Sequence, residues 1–194
     1  MVLASASPRR RELLGRLCAS FDVVPARIDE RLPPGPLEAA VAALALEKAR
    51  AVAASRTGGL VLAADTVVTI DGDVLGKPAD AADAQRMLRR LRGRWHEVIT
   101  GLAAVDVASG RSETAAVTSR VLMARYPDAV LEEYVAGGSP LDKAGAYAIQ
   151  DLDGALVDGL VGSYTNVIGL PLAETRRLLE AFGVALSGAG TPAA

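Results

Sequence analysis

The sequence predicts an α/β protein with a mixed sheet and flanking helices, and three observations carry that prediction. Strand-like runs alternate along the chain with longer runs whose apolar residues recur every three or four positions. Two turns, "IDGDV" and "VASGR", connect neighbouring strand-like runs as hairpins, so the sheet is mixed rather than wholly parallel. The chain has 194 residues, of which 51% are apolar. A chain of that size buries roughly 70% of its unfolded surface and needs no staple.

The elements follow in order. "MVLAS" reads as a first strand, and Ser7 and Pro8 then have the chemistry of a helix cap and first helical position. That helix, expected over Pro8 to Cys18, carries Arg9, Arg10 and Arg11 in its first turn, where the exposed N–H groups are already partly positive. Cations there need an anion to meet. "FDVVPA" from Phe21 is a second strand-like run, and the helix from Pro36 to Arg56 places Leu37, Val41, Leu44 and Val52 on one stripe. "LVLAADTVVTI" from Leu60 is the longest strand candidate. A helix over Ala81 to Leu91 sets Ala84, Leu88 and Leu91 on one face and leaves Arg86, Arg89 and Arg90, with Arg92 and Arg94 beyond, on its solvated side. "HEVITGLAAVDV" from His96 and "ETAAVTSRVLMA" from Glu113 read as paired strands, Pro127 to Ala136 as a helix, "AGAYAIQ" from Ala144 as a strand, and Pro171 to Phe182 as the last helix. Residues 1–186 are expected to form a single domain, with room for two lobes. From Ser187 the tail "SGAGTPAA" lacks anything to bury and is expected to be disordered.

Composition removes several function classes. A net charge of -2 argues against a generally basic nucleic-acid surface, so no stable nucleic-acid partner is expected. One cysteine, Cys18, and one histidine, His96, build neither a disulfide framework nor a Cys/His zinc site within one chain. A reducing cytoplasm suits this usage. No run of 18 apolar residues and no basic-then-apolar leader occurs, so neither a membrane span nor a secretory signal is expected. No G-x-G-x-x-G follows a strand, and H-E-x-x-H and G-x-S-x-G are lacking, so dinucleotide oxidoreductase, zinc hydrolase and serine hydrolase readings have no support.

Individual residues raise sharper questions. Asp65 interrupts an otherwise apolar and threonine-bearing strand, a costly place for an unpaired carboxylate. It either bonds nearby backbone N–H groups or serves as a general base or metal ligand on a rigid strand. Lys48 falls inside the apolar stripe of its helix and must snorkel out or meet an anion. Asp29 and Glu30 in "RIDERL" are an acidic pair after a strand: either solvated, or oxygen ligands for magnesium. "GDVLGKP" fails as a P-loop, because Gly72 and Gly76 have three residues between them rather than four and Lys77 is followed by Pro78. Lys77 is then an exposed turn lysine or an ammonium near the Asp65 strand. Gln150 either caps a strand or offers its amide to the imide edge of uracil or thymine. His96 reads as a satisfied structural histidine.

The segments "LASASPRRRELL", "LALEKARAVA", "LAADTVVTIDGDVLGKP", "GRWHEVITGL", "PLDKAGAYAIQ" and "GSYTNVIGLPLAET" stand in the order found in the Maf family of nucleoside triphosphate pyrophosphatases, which the chain resembles from residue 2 to about residue 183. The resemblance implies a mixed sheet with flanking helices and a deep cleft, similar to the inosine triphosphatases, and hydrolysis of a nucleoside triphosphate to monophosphate and pyrophosphate with a divalent metal, Mg or Mn. Asp-Thr at Asp65 and Thr66, Gln at Gln150 and Arg at Arg9 are similar to the branch acting on dTTP and UTP. By the same resemblance Asp65 matches the catalytic aspartate, and Arg9, Thr66 and Gln150 match specificity positions. Ser7, Arg10, Lys48 and Lys77 match phosphate-side positions, Glu30 with Asp65 matches metal-binding carboxylates, and Arg11 matches none. Asp29 departs from the pattern, since relatives often carry Glu there. A homodimer is compatible with the resemblance. Two other readings stay open: a pyrophosphatase preferring another or a modified nucleotide, and a non-catalytic nucleotide-binding regulator of cell division.

Overall fold

In the computed structural model, which describes residues 1–186, seven strands and six α-helices form a mixed α/β structure. The expected tail from Ser187 lies outside the described residues. The strands are β1 (Val2–Leu3), β2 (Asp22–Val23), β3 (Leu60–Ile70), β4 (Asp73–Leu75), β5 (Trp95–Asp106), β6 (Ser112–Met123) and β7 (Val157–Val161). The helices are α1 (Pro8–Gly15), α2 (Leu37–Ala53), α3 (Ala81–Leu91), α4 (Asp128–Ala136), α5 (Tyr164–Ile168) and α6 (Leu172–Ala181). The sheet runs in the order β2-β1-β3-β5-β6-β7, with β4 added to β3. Strand β1 is parallel to both β2 and β3, whereas β3 pairs antiparallel with β4 and β6 antiparallel with β7. The mixed sheet expected from the two hairpin turns is therefore present.

The chain divides into two compact units. Among the described residues, the first comprises Met1–Asp65, Thr100–Val117 and 169–186; the second comprises Thr66–Ile99 and Thr118–Ile168.

In the first unit, α2 packs its small residues Ala45 and Ala49, with Val52, against Val2, Ala4, Val61, Ala63, Ala103 and Val105 of the sheet. Alanines there let the helix lie close, and Gly101 of β5 shows how close: a Cβ at that position would sit 2.4 Å from the Val41 carbonyl oxygen. The approach is backbone to backbone. Lys48 is buried on this helix beside Val41, Leu44 and Val52.

In the second unit, α3 buries Ala84, Leu88 and Leu91 against Val68, Ile70, Val98, Val121 and Met123, joined by Leu131, Tyr134 and Val135 of α4. The arginines of α3 face outward, as the period requires, and Arg90, together with Arg94 just beyond the helix, ties down the β3–β4 hairpin. Arg90 donates to Asp73 at 2.7 Å and to the Ile70 carbonyl at 3.1 Å, and Arg94 donates to Asp71 at 2.7 Å. Asp71 and Gly72 both have positive φ, 56° and 82°, which is the type I′ requirement that an Asp-Gly pair meets.

Two expectations need correction. "AGAYAIQ" is not a strand: Ala144–Ala146 form a 3-10 turn in which Gly145 and Ala146 have φ of 69° and 62°. Ala146, Tyr147, Ala148 and Ile149 are buried in succession rather than alternately, so their apolar character reflects insertion into a core. Conversely, "VDGLV" becomes β7 and "YTNVI" becomes α5, neither of which the sequence suggested. β7 is a half-exposed edge strand whose Asp and Gly dilute the apolar pattern, and pairing with β6 is what defines it.

Candidate active site

The expected site residues divide between the two units. Ser7, Arg9, Arg10, Glu30, Lys48 and Asp65 lie in the first, and Thr66, Lys77 and Gln150 in the second.

In the first unit the two costliest residues of the sequence answer each other. Asp65 is buried in β3 and Lys48 is buried on α2, and Lys48 Nζ donates to Asp65 Oδ1 at 2.6 Å. The lysine does not snorkel, and the carboxylate is not a strand-end cap. The same ammonium lies 2.8 Å from Glu30 Oε1. One buried cation thus gathers two carboxylates, one from a rigid strand and one from the loop after β2. Glu30 is 53% exposed on its side chain, so it forms the solvent-facing member of the trio. Asp29, the other half of the acidic pair, turns to Arg31 at 2.9 Å on the surface.

Helix α1 delivers the second cationic group. Ser7 caps it, its Oγ accepting from the Arg10 backbone N–H at 3.4 Å, and its own N–H donates to Ser5 Oγ at 3.2 Å. The Arg10 side chain is held at two points: Nε donates to the Gly169 carbonyl at 2.9 Å and Nη1 to Ser5 Oγ at 3.3 Å. Burial lowers the Arg10 guanidinium from its ordinary value, while the Asp65 and Glu30 carboxylates pull it back up and Arg9 pushes it further down. Arg9 is half-buried, whereas Arg11 is exposed. Ser5 is the residue that sequence reading passes over; its buried hydroxyl serves both the cap and the arginine.

In the second unit, Thr66 is half-buried on β3, Lys77 is exposed after β4, and Gln150 is exposed immediately before a 3-10 turn over Asp151–Gly154. Gln150 therefore does not end a strand. His96 is buried, with Nε2 at 2.7 Å from the Tyr147 hydroxyl, and burial pushes its imidazole down to about 4. That is a structural environment.

Among the described residues, no group of three or more His, Cys, Asp or Glu could hold a metal ion. Asp65 and Glu30 nonetheless supply two hard oxygen donors side by side, the protein share that a magnesium-type ion takes when substrate phosphates complete its shell. No helix of the described residues is long and apolar enough to cross a membrane.

Comparison with known proteins gives one consistent answer. The family model described as Maf-like protein matches residues 1–182. A dTTP/UTP pyrophosphatase of Anaeromyxobacter dehalogenans (strain 2CP-C) is 54% identical over 189 residues, covering 96% of this chain and 95% of the relative. Proteins of the same name from Moorella thermoacetica and Myxococcus xanthus are 52% and 51% identical, covering 97% and 96% of this chain and 97% and 94% of their own lengths.

Proposed function

The chain belongs to the Maf-like protein family, and from that premise we propose that it hydrolyses dTTP and UTP to the nucleoside monophosphate and pyrophosphate. The observation that carries this reading is the Lys48–Asp65–Glu30 group in a chain more than half identical to relatives with that name.

The roles follow from charge and position. Asp65, fixed by Lys48 on the long strand β3, orients a water and takes its proton as the water oxygen attacks the α-phosphorus. The bond from that phosphorus to the α–β bridging oxygen breaks, and pyrophosphate leaves with the bonding electrons. Phosphoryl chemistry depends mostly on positioning and charge stabilisation. Arg10, locked to Gly169 and Ser5, presents an already oriented guanidinium to a phosphate oxygen, and Ser7, Arg9 and Lys77 add donors. Lys48 is the shared cation whose partner oxygens on Asp65 and Glu30 would hold a divalent ion. When bound, such an ion neutralises phosphate charge and polarises the phosphoryl oxygens. Thr66 and Gln150 read the base: a donor–acceptor amide matches the imide edge of uracil or thymine and leaves groups unpaired against cytosine. The single buried cysteine suits a reducing, cytoplasmic setting.

The test is a panel of the common nucleoside triphosphates with Mg or Mn, scoring pyrophosphate against orthophosphate. The expected result is pyrophosphate, fastest from dTTP and UTP. Orthophosphate as first product means attack at the γ-phosphorus and overturns the reaction class. Binding without any release favours a non-catalytic nucleotide-binding regulator, and a purine or modified nucleotide as the best substrate overturns the specificity.

A further inference from the structure

The segment around Gln150 is backbone-strained and heavily tied down. Between Gly145 and Asp153, four residues have positive φ, and three of them, Ala146, Leu152 and Asp153, are not glycine. A non-glycine residue in that region is strained and persists only where its surroundings over-determine it. At Gly145, φ is +69° and a Cβ would lie 3.0 Å from the Val68 side chain, so a larger residue there would meet both backbone strain and a tight contact. Its N–H donates to the Gly76 carbonyl at 3.0 Å, which joins this segment to the turn that bears Lys77.

Side chains complete the hold. Asp151 Oδ2 accepts from the Tyr134 hydroxyl at 2.6 Å and from Ser139 Oγ at 2.8 Å. The Tyr134 oxygen in turn accepts from the Ala148 N–H at 3.3 Å. Lys143 is buried; its ammonium donates to the Ser139 carbonyl, to Ser139 Oγ at 3.1 Å and to Asp142 at 2.7 Å, and lies 3.9 Å from Asp151 Oδ2. Burial and the adjacent Asp151 carboxylate hold the Tyr134 phenol well above its ordinary value, so it remains a donor. A buried ammonium and a phenol are a large outlay of polar groups for a surface turn, and Gln150 is the exposed side chain they flank.

We infer that Asp151, Tyr134, Ser139 and Lys143 are positioning residues that fix the backbone at Gln150 so that its amide is held within reach of the pyrimidine edge. The inference rests on the pyrimidine-reading role of Gln150 proposed above. A loose turn would let the amide drift away from the pyrimidine edge and lose the preference for uracil over cytosine. The held turn makes the amide selective.

The experiment compares UTP and CTP as substrates for the full chain, wild type against Asp151→Asn, Gln150→Ala and the double variant, with melting temperature recorded throughout. Wild type is expected to prefer UTP. Asp151→Asn is expected to lower kcat/KM for UTP about tenfold, mainly through KM, with CTP little changed, and to add nothing further in the Gln150→Ala background. Asp151→Glu is expected to recover part of the selectivity. An unchanged UTP/CTP ratio in Asp151→Asn, or additive losses in the double variant, overturns the inference. Should Asp151→Asn fail to fold, Ser139→Ala removes the other hydrogen bond to the same carboxylate and is read by the same two criteria. A wild type that does not discriminate UTP from CTP overturns the reading of Gln150 itself and the inference with it, before any variant is measured.

Discussion

At the residue scale, the Lys48–Asp65 pair separates chemistry from stability. Asp65→Asn keeps the volume and removes the proposed base, so pyrophosphate release is expected to fall by roughly a thousandfold or more while nucleotide still binds; substantial turnover in that variant would remove Asp65 from the base role. Lys48→Met instead leaves a carboxylate buried without its cation, at a cost of about 3 kcal/mol. Calorimetry should then show a melting temperature lower by about 6–12 °C, and a smaller loss for Glu30→Gln, because Glu30 is half in solvent. His96 makes a third expectation. Its folded value, about 4, lies below the ordinary 6.5, so between those limits the unfolded chain binds the extra proton. The contribution is therefore neutral above about pH 6.5 and destabilising by up to roughly 3 kcal/mol as pH falls to about 4. Melting temperatures followed from pH 7 to 5 should decline, and His96→Gln should decline less steeply. Sequence made Asp65 and Lys48 individually conspicuous, each as a charge in an apolar pattern. It did not pair them, because residues 48 and 65 meet only when α2 packs on β3.

At the scale of elements, the close seat of α2 on the sheet leaves no room for a side chain at Gly101. Gly101→Ala would place a methyl 2.4–2.5 Å from the backbone of Val41 and Ala42, which no rotamer change relieves. The expected outcome is a loss of several kcal/mol, seen as a strongly reduced melting temperature or no soluble protein; a variant as stable as wild type would mean the helix can lift without cost. The types of α2, α3, β3, β5 and β6 were legible because each sustains its signal over ten or more residues, a helical recurrence of apolar residues in α2 and α3 and long runs of strand-forming residues in β3, β5 and β6. Short elements were not. β7 depends on β6 for its identity, and "AGAYAIQ" carries strand-like residues that the left-handed Gly145 and Ala146 turn into a buried 3-10 corner.

At the scale of the whole molecule, the three long strands each supply both compact units, and the unit boundary on β3 falls between Asp65 and Thr66. On the proposed reading Asp65 and Glu30 would hold the divalent ion, and both already lie against the Lys48 ammonium, so the ion should serve the substrate rather than the fold. Chelation is therefore expected to stop pyrophosphate release, added Mg to restore it, and the melting temperature to stay within about 2 °C; a large drop on chelation would make the metal structural. What the sequence determined by itself is the α/β class, the long elements and the odd placement of Arg9, Arg10, Lys48 and Asp65, since all of these are local signals of period, cap and polarity. What only the tertiary structure decided is which charges meet: that Lys48 gathers Asp65 and Glu30, that Arg10 is braced by Ser5 and Gly169, and that the Gln150 turn is clamped through Asp151. Those partners are separated by up to 159 positions along the chain, and no local pattern fixes a contact that chain packing alone brings within 3 Å.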